Sequence, residues 1–248
     1  GTTTASDSVR EGGSEIYWSK IGVTGTDKLV LKSDGAKKVP LSDWSRDGKY
    51  LVYVMDNDIW ALPVSRDPKT SEWTAGDAKP IPVTKTNFVE SLPRISPDNH
   101  WIAYVSNQST QNEIWIRSFP EPGTEQLVSV GAGGNGAAAL AHPHWSWDGR
   151  DVLYFVGNTP RFVAVSVSPA GTSLNAAAPR TLFPHPAQRA PFSSVFSITR
   201  DGRFLMQLAS TGGSPGSPNP GFQQQSALGS TAGNAVITIV TNWAGNRG

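Results

Sequence analysis

Short apolar runs recur along this chain at nearly constant intervals, and each follows the same small polar unit. The runs are Leu51–Val54, Ile102–Val105, Val152–Val156 and Phe204–Leu208. Ahead of them stand Asp43-Trp-Ser-Arg-Asp-Gly48, Arg94-Ile-Ser-Pro-Asp-Asn99, His144-Trp-Ser-Trp-Asp-Gly149 and Ser197-Ile-Thr-Arg-Asp-Gly202, which align without gaps. The aspartates Asp47, Asp98, Asp148 and Asp201 are 51, 50 and 53 residues apart. Runs this short, continuous and β-rich are strands covered on both faces. The polar unit predicts a tight hairpin into each run, because an Asp side chain bonds the backbone N–H groups ahead of it. The next residue is Gly48, Asn99, Gly149 or Gly202. Gly and Asn are the two residue types that best tolerate positive φ, so this position is predicted to be left-handed.

A third strand follows each run, at Asp58–Val64, Glu113–Phe119 and Arg161–Val167. These segments alternate apolar and polar residues, as half-buried strands do. Glu15–Lys20 matches them but has no Asp-Gly hairpin before it. A fourth, outer strand is expected at Pro80–Thr84, Glu125–Val130 and Pro179–Phe183. Four strands in about fifty residues is the arithmetic of a propeller blade. The expected fold class is therefore all-β, a β-propeller of four-stranded antiparallel blades, with about four to five blades in this chain. Residues 1–14 are polar and Gly/Ser/Thr-rich and read as a flexible lead. The blades occupy 15–208, a Gly/Ser/Pro/Gln-rich loop fills 209–234, and 235–248 carry a terminal strand. A second loose loop is expected at 131–141, and no segment has the periodicity of an ordinary amphipathic helix.

Composition narrows the function classes. Basic and acidic residues number 21 and 20, for a net charge of +1, and they are interspersed. No field of one sign exists to steer nucleic acid or an anionic membrane surface. The chain has no cysteine, which removes disulfides, thiolate metal sites and Cys nucleophiles. Mean hydropathy is −0.30 and no apolar window is long enough to span a bilayer. Nothing in the sequence asks for a cofactor.

The repeated hairpin followed by an Ile-Trp strand resembles the TolB-type, WD-like propeller repeat. Leu41-Ser-Asp-Trp-Ser-Arg-Asp-Gly48, Leu92–Tyr104 and Glu113-Ile-Trp-Ile-Arg-Ser-Phe-Pro120 carry the likeness, which covers most of residues 15–208. The ending Ala235–Gly245 resembles the terminal strand of the propeller sensor region of acidobacterial transmembrane serine/threonine kinases. That resemblance implies an extracytoplasmic propeller, periplasmic or at the cell surface, of about six blades. It would follow a kinase domain and a membrane helix. Neither a kinase motif nor a membrane helix lies in this chain, and the remaining blades are expected on an upstream segment or another chain, the alternative being a ring that closes with fewer blades. The resemblance says little about ligand; a protein, small-molecule or glycan ligand on a propeller face is the expected partner, with no nucleic acid and no membrane contact from this segment.

The candidate chemistry is sparse. Two positions before each Ser/Thr stand Asp43, Arg94, His144 and Ser197, four different polar types at one position of the repeat. A structural position would repeat its residue as Asp-Gly does, so divergent polar residues converging on a channel suit a ligand site, the alternative being that they merely hydrate the pore. His142 joins His144 as the only close histidine pair, and its disposition hangs on Pro143 and the loop beside it. Two histidines do not complete a zinc site, and His100 and His185 fall at unrelated positions, so no metal is assigned. Asp47, Asp98, Asp148 and Asp201 recur too regularly for catalysis and read as turn residues. No nucleophile elbow is read, since the one Gly-x-Ser-x-Gly match, Gly212–Gly216, falls in the Gly/Ser/Pro-rich loop, and Gly131–Gly136 lacks the Lys of a phosphate loop. No catalytic residue is assigned. Trp60 and Trp115, with Tyr17 beside them, are expected between blades, and Trp44 and Trp145 in the core. A non-catalytic binding or sensing module is the expected function. A metal-dependent propeller lyase or lactonase, or an assembly protein joined through propeller faces or open blade edges, is the alternative.

Overall fold

The polar unit closes a hairpin through one repeated set of hydrogen bonds. Ser45 N–H donates to the Tyr50 carbonyl and Gly48 N–H to the Ser45 carbonyl, both at 2.9 Å. The Asp47 carboxylate takes the Ser45 hydroxyl proton at 2.8 Å and Lys49 N–H at 3.1 Å. Ser45 Oγ in turn accepts Tyr50 N–H at 2.9 Å. The set recurs at Ser96, Asp98, His100 and Trp101, and at Ser146, Asp148, Arg150 and Asp151. In the last copy, Thr199 and Asp201 bond likewise, but Arg203 N–H is the donor to the hydroxyl. The residue after each Asp is left-handed, with φ of +78° at Gly48, +61° at Asn99, +73° at Gly149 and +79° at Gly202. Asn99 also ties its hairpin to the preceding one, since its Oδ1 accepts Arg46 N–H at 3.1 Å.

The computed structural model describes residues 3–10, 13–33, 40–129, 140–156, 161–170, 173–184, 196–209 and 235–240. Every regular element among them is a strand. The chain divides into two compact units, Gly1–Thr110 with Ile114–Leu127, and Gln111–Glu113 with Val128–Gly248. In the first unit one sheet runs β1 (Thr3–Arg10), β2 (Gly13–Lys20), β3 (Lys28–Lys32). The next runs β4 (Leu41–Trp44), β5 (Tyr50–Met55), β6 (Asp58–Pro63). A two-residue ribbon, β7 (Ser65–Arg66) with β8 (Trp73–Thr74), precedes its fourth strand β9 (Ile81–Pro82). The third sheet runs β10 (Glu90–Ile95), β11 (Trp101–Ser106), β12 (Glu113–Ser118), β13 (Glu125–Leu127).

In the second unit β14 (Leu140–Trp145), β15 (Asp151–Val156) and β16 (Arg161–Ala170) pair in order. Both β17 (Ser173–Ala176) and β18 (Arg180–Pro184) pair with β16. The last sheet runs β19 (Phe196–Ile198), β20 (Phe204–Ala209), β21 (Ala235–Val240). So the third strand of this sheet does arrive after a long excursion, while 210–234 and 241–248 lie outside the described residues.

Three details differ from the sequence reading. Thr3–Arg10 is not a loose lead but strand β1, in register along β2 with Ser6 opposite Tyr17. Its Thr and Val residues suit a pleated surface, and β2 needs a backbone partner on that side. Leu140 and Ala141 belong to β14, whereas 130–139 lie outside the described residues. The β7–β8 ribbon and β17 have too few residues to show any periodicity.

Middle strands carry the burial. β11 and β15 are buried at every residue, and Leu51, Val52 and Tyr53 are buried on β5. Ile16 meets Leu51, Tyr53, Leu62 and Val64 where the first two sheets stack, with Trp60 and Trp73 against them. Val52, Ile59 and Ala61 meet Ile95, Ile102, Tyr104 and Phe119 where the second and third stack, with Trp115 at the margin. Trp60 and Trp115 thus pack between sheets. Trp44 and Trp145 are only half-buried. Trp44 stands edge-on to Trp73 at 4.9 Å and donates its indole N–H to the Gly48 carbonyl at 3.1 Å. In the second unit Phe155, Phe162, Phe196 and Phe204 join β14–β18 to β19–β20. Burying one such ring contributes about 1.5–3 kcal/mol.

Gly48 needs its missing side chain twice. At its positive φ a Cβ is strained, and the same Cβ would strike the Trp73 ring. Gly22, at φ +78°, has open space around it. In urea melts Gly22→Ala is expected to cost about 1 kcal/mol, and Gly48→Ala about 2 kcal/mol or more. Equal losses for the two would show that Trp73 yields freely.

Candidate functional site

Three of the four aligned polar positions occupy one register, and Ser197 pairs one residue short of it. Asp43 pairs with Val52, Arg94 with Ala103, His144 with Leu153 and Ser197 with Leu205. In the first three sheets to carry it, a one-residue bulge comes just before the position, between Leu41 and Asp43, Ser91 and Arg94, and Ala141 and His144. A bulge bends the strand and re-aims the side chains that follow it. At Leu92 it drives φ to +54°, a strained value for Leu.

Asp43 and Arg94 are brought together. Asp43 Oδ2 accepts Ile95 N–H at 2.8 Å and Oδ1 accepts Trp44 N–H at 2.9 Å. Arg94 Nη1 donates to the Ser42 carbonyl, and to Pro93 O at 3.1 Å. The two residues therefore stitch β4 to β10. Burial pushes the Asp43 carboxyl above its ordinary 3.8, against the Ile95 N–H, the Arg94 charge and the Trp44 N–H, which pull it down. At Asp47 the balance reverses: the Ser45 hydroxyl and the Lys49 N–H and side chain outweigh burial and hold the carboxyl low. The Thr199 hydroxyl and Arg203 do the same at Asp201.

In the second unit the His144 imidazole lies 4.4 Å from the Phe196 ring, one residue from exposed Ser197. His142 is a backbone member of β14, and its side chain lies outside the described residues, as does His185. Among the described residues no group of three or more His, Cys, Asp and Glu could hold a metal ion.

Another cluster, in the first unit, escaped the sequence reading. Asp56 and Asn57, at φ +54° and +69°, make a two-residue turn from β5 to β6. The Asn57 carbonyl accepts Glu90 N–H at 2.8 Å, fixing the start of β10. Between β9 and β10, Thr86 N–H donates to Asp58 Oδ1 at 3.0 Å and the Thr86 hydroxyl to Glu90 Oε1 at 2.8 Å. Thr86 Oγ1 accepts Phe88 N–H at 3.0 Å, and Asn107 Oδ1 accepts Val89 N–H at 2.9 Å. The connection is thus pinned while Phe88 and Val89 stand 43% and 45% exposed. Glu90 is buried, and burial first, then the Asp58 charge, raise its carboxyl against the Thr86 and Ser106 hydroxyls. One signal was available: an acid precedes Ile-aromatic in Glu15-Ile-Tyr, Asp58-Ile-Trp and Glu113-Ile-Trp. Each acid bonds a hydroxyl, Tyr17 for Glu15, Thr84 for Asp58 and Ser129 for Glu113.

No protein-family model matches the chain, and no curated protein matches it in sequence. Solved structures do match in fold. TolB from Acinetobacter baumannii superposes with a TM-score of 0.56 at 13% identity, over 96% of this chain and 53% of its own. The periplasmic gluconolactonase of Pseudomonas aeruginosa gives 0.51 at 16% identity, over 96% of this chain and 69% of its own. The chain spans about half the length of that TolB. At these identities the likeness shows the fold alone, and the fold is a β-propeller. No helix among the described residues is long and apolar enough to cross a membrane.

Asp43→Asn tests the stitch between β4 and β10. An amide has one acceptor oxygen for two N–H donors, so the variant is expected to lose about 1–3 kcal/mol in urea melts. Because burial raises the native Asp43 carboxyl, its ionisation costs the wild type stability as pH climbs from 3.8 through the raised value. The loss in Asp43→Asn is therefore expected to be largest at the acid end and to shrink as pH rises. A loss that grows over the same range contradicts this account.

Proposed function

We propose that this chain is a non-catalytic binding module, the propeller of an extracytoplasmic, receptor-type bacterial protein. It takes a protein or glycan partner on the sheet ends where β9 hands over to β10. One observation carries the reading: Phe88 and Val89 are exposed on a connection whose backbone is held by Asp58, Thr86, Glu90 and Asn107. Large apolar side chains on a pre-ordered loop cost little entropy to dock and are typical binding anchors. The polar residues that the repeat suggested for ligand contact, Asp43 and Arg94, are occupied in joining strands. The extracytoplasmic placement rests on the sequence resemblance and on the periplasmic gluconolactonase that shares the fold. The same resemblance supports a parent protein with a kinase domain and membrane helix upstream.

The second reading, a lactonase, is favoured by that shared fold. Two measurements separate them. Panning the purified chain against peptide and glycan libraries is expected to yield a saturable ligand. Its affinity should fall roughly tenfold or more, about 1.4 kcal/mol, in the Phe88→Ala/Val89→Ala variant with the fold unchanged by circular dichroism. Hydrolysis of gluconolactone should not exceed the spontaneous rate. Turnover well above that rate, or ligand binding indifferent to the double substitution, contradicts the proposal.

A further inference from the structure

The Asp58 and Glu90 carboxyls sit in one polar niche with the hydroxyls of Thr84, Thr86 and Ser106. Glu90 is 1% exposed. Its Oε1 accepts the Thr86 hydroxyl at 2.8 Å and the Ser106 hydroxyl at 3.3 Å. Its Oε2 is buried with no hydrogen-bond partner. Asp58 Oδ1 accepts Thr86 N–H at 3.0 Å and the Thr84 hydroxyl at 3.4 Å. No Lys or Arg among the described residues forms an ion pair with either carboxylate.

Neither protonation state of Glu90 satisfies this niche. Ionised, two like charges share one niche and the buried Oε2 lacks a donor. Protonated at Oε2, the acid proton lacks an acceptor. A cation answers both faults at once, since it meets the orphan oxygen and cancels the repulsion. The available ligand atoms are all oxygens, two carboxylates and three hydroxyls, each with one lone pair left after donating to a carboxylate and accepting Ile59, Phe88 or Gln108 N–H. That set suits a hard cation and not a soft one.

We propose that Asp58 and Glu90, with the hydroxyls of Thr84, Thr86 and Ser106, bind a hard divalent cation of the calcium type. Bound there, it would brace the β9–β10 connection against the β5–β6 turn and the end of β11. The site does not depend on the partner-binding proposal, since it is read from the buried carboxyls and not from Phe88 and Val89.

The test uses the full chain stripped with a chelator and dialysed against Ca2+ at constant ionic strength. One saturable Ca2+ per chain is expected, with a dissociation constant of about 1 mM or tighter. The melting temperature should rise with Ca2+ occupancy. Glu90→Gln keeps an acceptor for the Thr86 hydroxyl but removes the charge, and Asp58→Asn does the same on β6. Each should weaken uptake roughly tenfold or more, as affinity follows ligand charge. Should a charge variant fail to fold, Ser106→Ala removes one oxygen and is expected to weaken uptake severalfold. Failure of the wild type to take up Ca2+ saturably, which would mean that only a water meets Oε2, overturns the proposal. So does undiminished uptake by the folded variants.

Discussion

Covering both faces of a middle strand is the constraint from which the rest of this structure follows. A strand such as Trp101–Ser106 is buried at every residue, so it has no face to offer to water. Within the first unit a sheet on each side of β5 meets that demand. The seams bear this out. Tyr53 belongs to the core shared with the first sheet, while its neighbour Val52 on the same strand belongs to the core shared with the third. Alternation along one strand thus supplies two different interfaces.

Stacking in turn demands that each sheet start in the same register, and the hairpin sets it. Its Ser or Thr hydroxyl, its Asp carboxylate and its left-handed residue leave the chain one way to reverse. Asn99 shows why the exception in the sequence was informative. It tolerates the left-handed backbone as Gly does, and its amide oxygen also ties two successive hairpins together. The first property could be read from the residue type, whereas the second could not, because Arg46 lies 53 residues away. The same divide runs through the whole molecule. Hairpins, middle strands and third strands were legible, since each is set by local turn chemistry and a short apolar pattern. β1 was not, because its polar residues pair for the sake of β2 and not for their own burial.

The candidate site repeats this lesson in another form. Asp43, Arg94, His144 and Ser197 stand out as variable polar residues at one repeat position, and the structure puts the first three in one register, with Ser197 one residue short of it. What a periodic alignment misses is the partner supplied by the next sheet. Asp43 and Arg94 spend their hydrogen-bonding capacity on Ile95, Ser42 and Pro93. The side chains free to meet a partner, Phe88 and Val89, lie between strands, where the repeat has no fixed pattern. The fold holds such a connection steady with backbone-directed polar contacts and leaves its apolar side chains outside. Exposed apolar side chains on a connection held in this way suit the recognition role proposed above.

Native-state hydrogen exchange tests the stacking account most directly. The amides of Leu51–Val54, Ile102–Val105 and Val152–Phe155 should be the slowest in the chain, exchanging only with global opening of their unit. Those of β9 and β13, at the outer edges of their sheets, should exchange by local fraying. Middle strands that exchange as fast as the outer ones would show that burial between sheets is not what holds this protein together.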